Sequence, residues 1–420
     1  MMGAKDKLIK NNLQFYRFSI YGFLKNLRFF EPFIILIFRD NGLTFLQIGI
    51  LYSIRDMTNY LTEIPTGFIA DSFGRRKSMV LAFIAYIISF VIFFTFTNFY
   101  LSAFAMVLFG LGESFRSGTH KALILEYLRL NDILDQKVAY YGQTRAAAQL
   151  GSAFNSLIAA GLLFFTGNYR TMFLAATIPY VIDLINLATY PKILDGELSK
   201  FDKRMLWVQA KTTMKGFIDI FKDQLAMRSI LNSASFTALF KTCKDYLQPI
   251  LQSFALALPF LILLEDVKRS GVVIGIVYFF IYLLSSYASR SSDKFSRNFN
   301  NLATPINITF LIGIGFLLLA GITTWQNLVI ISVFVFLGFY VLQNLRKPMN
   351  VALISDQISH NVMASGLSVE AQITTILVAV FAPALGALAD SLGIGIALII
   401  LSIVTLSSYV FVAVRDNSPN

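Results

Sequence analysis

Apolar residues run through this chain in long blocks separated by short polar segments. A helix needs roughly 20 apolar residues to cross the hydrocarbon of a bilayer. Twelve stretches qualify: 13–38, 46–70, 78–97, 101–126, 139–165, 171–190, 232–259, 271–289, 302–321, 327–345, 364–389 and 393–414. The longest polar segment, from Pro191 to about Ser229, leaves six spans on either side. This predicts an all-α integral membrane protein with a first set of spans in 1–190, a central loop in 191–231 and a second set in 232–420. Within the loop, Leu206, Trp207, Phe217, Ile220 and Phe221 alternate with bases. That pattern suits a helix lying in the headgroup region, and a solvated linker with some helix is the other reading.

Charge then sets the orientation, because Lys and Arg in short loops stay on the cytoplasmic side. Alternate loops carry 22 bases on one face and four on the other, the four being Arg39, Arg170, Lys268 and Arg269. Among the 22 are Lys5, Lys7 and Lys10 of the tail and Arg346 and Lys347 of a late loop. Both termini are therefore expected in the cytoplasm of a multi-pass cell-membrane protein. The net charge of +11 reads as this orientation signal, with no nucleic-acid partner implied. At 56% hydrophobic and 14% charged, the chain could hardly be hidden in one soluble core. The first apolar run is long, internally charged and followed by further spans, so no cleavable signal peptide is expected.

Other chemistry is sparse. Cys243 is the sole cysteine, which excludes an internal disulfide. His120 and His360 lie far apart without cysteine partners, so each is expected to make an ordinary hydrogen bond and no metal site is expected. No Gly-x-Ser-x-Gly elbow and no phosphate-cradling loop occur. The chain is thus read as no enzyme, with no cofactor, and any work it does would draw on a gradient.

Between the second and third spans stands "GFIADSFGRRKSM", with Asp71, Arg75, Arg76 and Lys77 packed into seven residues. A related turn is expected after the eighth span if the halves are repeats. "SDKFSRN" lies there, and Asp293, Phe295 and Arg297 fall over Asp71, Phe73 and Arg75. The first turn resembles the signature loop of the major facilitator superfamily, G-x-x-x-D-x-x-G-R-[RK]. Gly67, Asp71, Gly74, Arg75 and Arg76 match, whereas Ser72 stands where an Arg frequently follows the Asp. The resemblance implies twelve transmembrane helices in two six-helix bundles around a central cavity, with alternating exposure to either side. On the physical reading, Gly67 lets a helix approach closely and Gly74 allows a tight reversal. Asp71 pairs with Arg75 or faces a helix N-terminus. Such a turn could clasp the cytoplasmic ends of the halves. "GALADSLG", Gly386 to Gly393, repeats the spacing but falls on the outer face, so no gating role is assigned to it.

Nine bases remain inside the spans: Arg17, Lys25, Arg28, Arg55, Arg116, Lys121, Arg145, Lys241 and Lys244. A charge at the bilayer centre costs about 2.5 kcal/mol or more on insertion scales, so the deepest must face protein or a wet cavity. Acids are available in Glu31, Asp56, Glu63, Glu113, Asp183, Asp245 and Glu370. Residues three or four apart share a helix face, which predicts pairs Arg28–Glu31 and Glu113–Arg116, a group of Lys241, Lys244 and Asp245, and a ladder of Arg55, Asn59 and Glu63 beside Asp56. The superfamily resemblance places the first, fourth and seventh spans on the cavity. The candidate substrate or coupling residues are therefore Arg28, Glu31, Asp56, Glu113, Arg116, Lys241, Lys244 and Asp245. The competing reading is that they are structural salt bridges. Arg55, Lys121 and Arg145 lie nearer helix ends, and Arg17 and Lys25 are expected to snorkel.

"YGFLKNLRFFEPF", Tyr21 to Phe33, is similar to the first helix of the reduced folate and thiamine carriers, and "TRAAAQLG" to their fifth. That likeness implies an anion-binding role for Arg116, but Glu370 stands where folate carriers present a Lys. These readings converge on a secondary transporter of a small polar or anionic solute, monomeric in its bilayer and coupled to protons through Glu31, Asp56 or Glu113. A drug or siderophore exporter of the same fold, and a non-transporting receptor or scaffold, are the alternatives.

Overall fold

The computed structural model describes residues 12–196, 198, 208, 211, 224–259, 262–357 and 363–415. The tail lysines, His360 and the five apolar residues of the expected interfacial helix lie outside the described residues. Fifteen α-helices and no strand occur among those described. Nine of the expected spans are single helices: α3 Phe45–Phe73, α4 Arg75–Thr95, α7 Lys137–Thr166, α8 Thr171–Ala188, α11 Asp266–Ser296, α12 Ala303–Trp325, α13 Val329–Gln357, α14 Met363–Leu392 and α15 Ile394–Val412. The first, fourth and seventh are each broken in two: α1 Leu13–Leu24 with α2 Ile34–Asp40, α5 Phe99–Arg116 with α6 Thr119–Leu130, and α9 Gln224–Cys243 with α10 Leu247–Ala257. Among the described residues, eight helices are long and apolar enough to cross a membrane. The broken spans, and α3 with Arg55, Asp56, Glu63 and Asp71, fall outside that group.

Local sequence accounts for each interruption. Residues 25–33 hold Pro32 within a 3-10 turn, Glu31–Phe33, where a missing N–H and a restricted neighbour prevent a continuous ladder. The fourth span stops at Ser117 and restarts after Gly118, whose φ of 70° only glycine adopts without strain. The seventh tightens into the 3-10 turn Lys244–Tyr246, and Pro249 follows in the first turn of α10, where its lack of an N–H is tolerated.

The helices assemble into two compact units, Met1–Phe33 with Thr58–Leu206 and Ile34–Met57 with Trp207–Asn420. Ile34–Met57, from the first predicted set of spans, thus packs with the second unit. In the first unit α4 packs on α5 and α8, and α1 packs on α7. In the second, α12 packs on α13 and α15, and α9 on α14. The same neighbour pattern therefore recurs in both. The interior of the first unit is aromatic: Phe30 stacks on Phe173, and Tyr180 meets both Tyr86 and Phe90 edge to face.

Two bases counted as loop residues are core residues instead. Arg346 is fully buried within α13. It donates to Asn232 Oδ1 at 2.8 Å, Thr309 Oγ1 at 3.0 Å and the Ile306 carbonyl, over the ring of Phe236. Arg269, buried in the first turn of α11, donates to the carbonyls of Ala255, Leu256 and Leu258 and so closes the C-terminus of α10. Loop counting treats such residues as anchors because carbonyl partners leave no mark in sequence.

Within the second unit, Asp390 of the "GALADSLG" stretch accepts from the backbone N–H groups of Phe45 at 2.9 Å and Leu46 at 2.8 Å, at the start of α3. A carboxylate on two otherwise orphaned donors acts as a cap supplied from another helix. Asp390→Ala is expected to lower stability by about 1–2 kcal/mol, read as a lower unfolding temperature in detergent, with Asp390→Asn retaining part of it. An unchanged temperature in Asp390→Ala would remove the cap from this account.

Candidate functional site

The break at residues 25–33 places Arg28 among side chains from three helices, α4, α5 and α8, and from the 3-10 turn that holds Glu31. Its Nε donates to the Tyr180 hydroxyl at 2.5 Å, and that hydroxyl donates to the Lys25 carbonyl at 2.9 Å. One terminal nitrogen reaches Glu31 Oε1 at 3.2 Å and the other Glu113 Oε1 at 2.6 Å. The second oxygen of Glu113 accepts from Arg116, whose Nε donates to the Tyr86 hydroxyl at 3.2 Å. The Arg28 guanidinium also lies 5.0 Å from the Phe109 ring centroid and 5.3 Å from that of Tyr86. Glu113 is thus a bridge between two guanidiniums. The side chains of Arg28, Glu113 and Arg116 are only 15%, 20% and 24% exposed, whereas Glu31 is 43% exposed.

Arg116 faces outward from this network onto a cavity of about 740 Å³ inside the first unit. Lys25, His120, Lys121 and Arg145 line the same cavity, together with Tyr21, Tyr141 and Thr144, and no Asp or Glu is among its described lining residues. Its wall includes Ser117 and Gly118, the residues at which the fourth span restarts. Lys25 is half-buried on the cavity wall, with its ammonium 5.5 Å from the Tyr21 ring centroid. One expectation changes here. His120 stacks on Tyr21 with centroids 3.6 Å apart, and its Nε2 is buried without a hydrogen-bond partner among the described residues. Lys121 and Arg145 read from sequence as end-of-helix charges, but the break brings them beside Arg116. Arg17 donates to the Thr189 hydroxyl and lies over the Tyr190 ring.

The remaining candidates belong to the second unit. Lys244 and Asp245 pair at 2.7 Å at the break of the seventh span, with Asp245 buried. Lys241 is exposed and forms no ion pair with Asp245 among the described residues. Arg55 pairs with Asp56 at 2.7 Å over the Tyr52 ring. Among the described residues no Arg55–Glu63 ladder forms: Glu63 instead accepts from the Ser117 hydroxyl at 3.1 Å. Glu370 accepts from the Ser233 hydroxyl at 3.0 Å, and buried Asp183 accepts from the Asn186 amide at 3.1 Å.

The signature turn is organised by its own unit. Gly74 reverses the chain between α3 and α4 with φ 106°. Arg75 meets Asp71 at 3.4 Å, while Arg76 donates to the carbonyls of Ala188 and Tyr190. The helix N-terminus at α4 is faced not by Asp71 but by Asp195, which accepts the Arg76 N–H at 2.7 Å. Nothing in the sequence pattern singled out Asp195. Gly67 marks no close helix approach among the described residues, since no atom of another helix among them lies within 4 Å of the position its Cβ would take. In the second turn Asp293 and Arg297 form the equivalent i,i+4 pair at 2.9 Å.

Solved structures share this architecture. A mutant of the nucleoside transporter NupG superposes with a TM-score of 0.75 at 13% identity, covering 96% of this chain and 100% of that one. A POT family transporter in complex with 5-aminolevulinic acid gives 0.68 at 16% identity, covering 95% and 96%. At these identities the likeness is one of fold. No curated protein matches the chain. The family model of the Major Facilitator Superfamily matches residues 19–371, from the first helix to within α14 and through both signature turns, and the chain accordingly belongs to that superfamily of membrane transporters.

Proposed function

We propose that the protein is a secondary transporter that moves a small polar or anionic organic solute by alternating access and couples its movement to protons. The carrying observation is Glu113, a carboxylate shared between Arg28 and Arg116 next to a cavity rich in cations. Protonating such a bridge weakens its hold on both arginines and frees them for an anionic solute, which links the two ligands in one site. Glu31 and Asp56 are the further carboxylates assigned to coupling. Breaks in the first, fourth and seventh spans support the reading, because non-helical backbone at membrane depth is tolerated where protein or a watery cavity satisfies it. In this reading both termini are cytoplasmic, twelve spans form two six-helix halves, a monomer suffices, and the turn from Gly67 to Arg76 is a cytoplasmic switch element. The nucleoside and peptide transporters that share the fold fit a small polar cargo.

Purified protein in liposomes, offered radiolabelled organic acids, vitamins and drugs in turn, tests this. At least one solute should accumulate only when a pH gradient is imposed, and Glu113→Gln should abolish that dependence. Equal accumulation with and without the gradient would overturn proton coupling, and absence of flux for every solute would overturn the carrier assignment.

A further inference from the structure

The cavity of the first unit has an electrical composition that the Arg28–Glu113–Arg116 network does not account for. Lys25, Lys121 and Arg145 form no ion pair with a carboxylate among the described residues, yet all three line one space with Arg116. The neighbouring carboxylates are already engaged, Glu113 by two guanidiniums and Glu63 by the Ser117 hydroxyl, while buried Asp183, the acid whose charge also reaches Lys25, accepts from the Asn186 amide and forms no ion pair with Lys25 among the described residues. Like charges gathered without counter-charge repel, and a bound anion is what offsets them.

A second, independent observation points the same way. The twelve-residue helix α6 begins on the cavity wall, and Gly118 before it provides no side-chain cap. The first N–H groups of a helix carry a partial positive charge, and the ordinary remedy of a Ser, Thr, Asn or Asp cap is missing here. The Thr119 N–H already donates to the Ser117 carbonyl at 2.8 Å, and an oxyanion seated there would satisfy the donors that follow it. The aromatic faces of Tyr21 and Tyr141, each beneath a lysine ammonium, hold Lys25 and Lys121 in place without neutralising them.

We propose that this cavity is a binding site for an organic dianion, either a dicarboxylate or a phosphate monoester. Lys25, Lys121 and Arg145 supply the cations, Arg116 the link to Glu113, and the start of α6 the backbone donors. One negative charge would leave most of the cluster uncompensated, which is why a dianion is favoured over a monoanion. The volume of about 740 Å³ lies within the range of small-molecule pockets. This assignment rests on the carrier reading and names the solute class of the same site.

Calorimetry on the full chain in phosphatidylcholine nanodiscs, with succinate, glycerol 3-phosphate, propionate and glycerol as probes, tests it separately from flux. Succinate or glycerol 3-phosphate should bind at least about tenfold more tightly than propionate, and glycerol should not bind. Lys121→Gln and Arg145→Gln should each weaken dianion binding about tenfold, the scale of a lost charged hydrogen bond. Lys121→Arg should retain it, and unliganded unfolding temperatures should show that the variants fold. Equal binding of propionate and succinate, or affinities unchanged in both glutamine variants, would overturn the site. Loss of succinate binding in discs containing phosphatidylglycerol would make a lipid headgroup the occupant and overturn it as a solute site. Failure of dianion binding alongside proton-driven flux of another solute refutes this inference alone. Dianion binding without flux of any solute refutes the carrier reading and leaves the site standing.

Discussion

Glu113→Ala should destabilise the protein by about 3–5 kcal/mol, the cost of removing one partner from a buried charge network. The reason lies in what remains. Arg28 and Arg116 both donate to Glu113, and without it two poorly exposed guanidiniums face each other with Glu31 as the sole remaining acid on Arg28. Tyr180 and Tyr86 are neutral acceptors and cannot replace the lost charge. Denaturant unfolding in detergent measures the loss. Glu113→Ala combined with Arg116→Met should recover part of it, because the second change removes the stranded charge. A single variant as stable as the parent would mean that the bridge contributes little, and the coupling assignment would lose its structural basis.

Gly386→Leu should have the second largest effect, about 1–3 kcal/mol or more. In the second unit α3 and α14 cross with backbone against backbone. A Cβ on Gly49 would overlap the Ala382 carbonyl, and one on Gly386 would overlap the Phe45 carbonyl and come within 2.7 Å of the Leu46 Cα. Backbone cannot rotate aside as a side chain can, so the helices would have to separate. Separation would also break the hydrogen bond from the Ser53 hydroxyl to the Ala379 carbonyl and pull Asp390 from the start of α3. Thermal unfolding should rank parent above Gly386→Ala above Gly386→Leu. Equal temperatures for all three would show that the crossing is loose.

Much of the helical layout was legible because apolar runs of bilayer length are a one-dimensional property. So were the pairs Arg28–Glu31 and Glu113–Arg116, because one turn of helix brings residues three apart together. The connection that matters most, Arg28 to Glu113, joins residues 85 apart and depends on how two helices pack, which no local pattern encodes. The cationic cavity was hidden for a different reason. Its members come from the first, fourth and fifth spans, and only the break at Ser117–Gly118 turns Lys121 toward the others. Arg346 and Asp195 were missed because their partners are backbone groups, and backbone is the same at every position.

Arg116 and Arg346 each occupy the eighteenth position of their helices, counted from Phe99 and from Val329. The first belongs to a set of two arginines and two glutamates that sums to zero, whereas the second is held by Asn232, Thr309 and a carbonyl with no carboxylate among its described partners. A transmembrane voltage exerts no net force on a neutral set that moves together. It does act on an uncompensated cation, at about 2.3 kcal/mol per elementary charge for each 100 mV traversed. Arg346 therefore adds to the second unit a buried charge on which membrane polarisation acts, as Lys25, Lys121 and Arg145 do in the first unit until an anion offsets them.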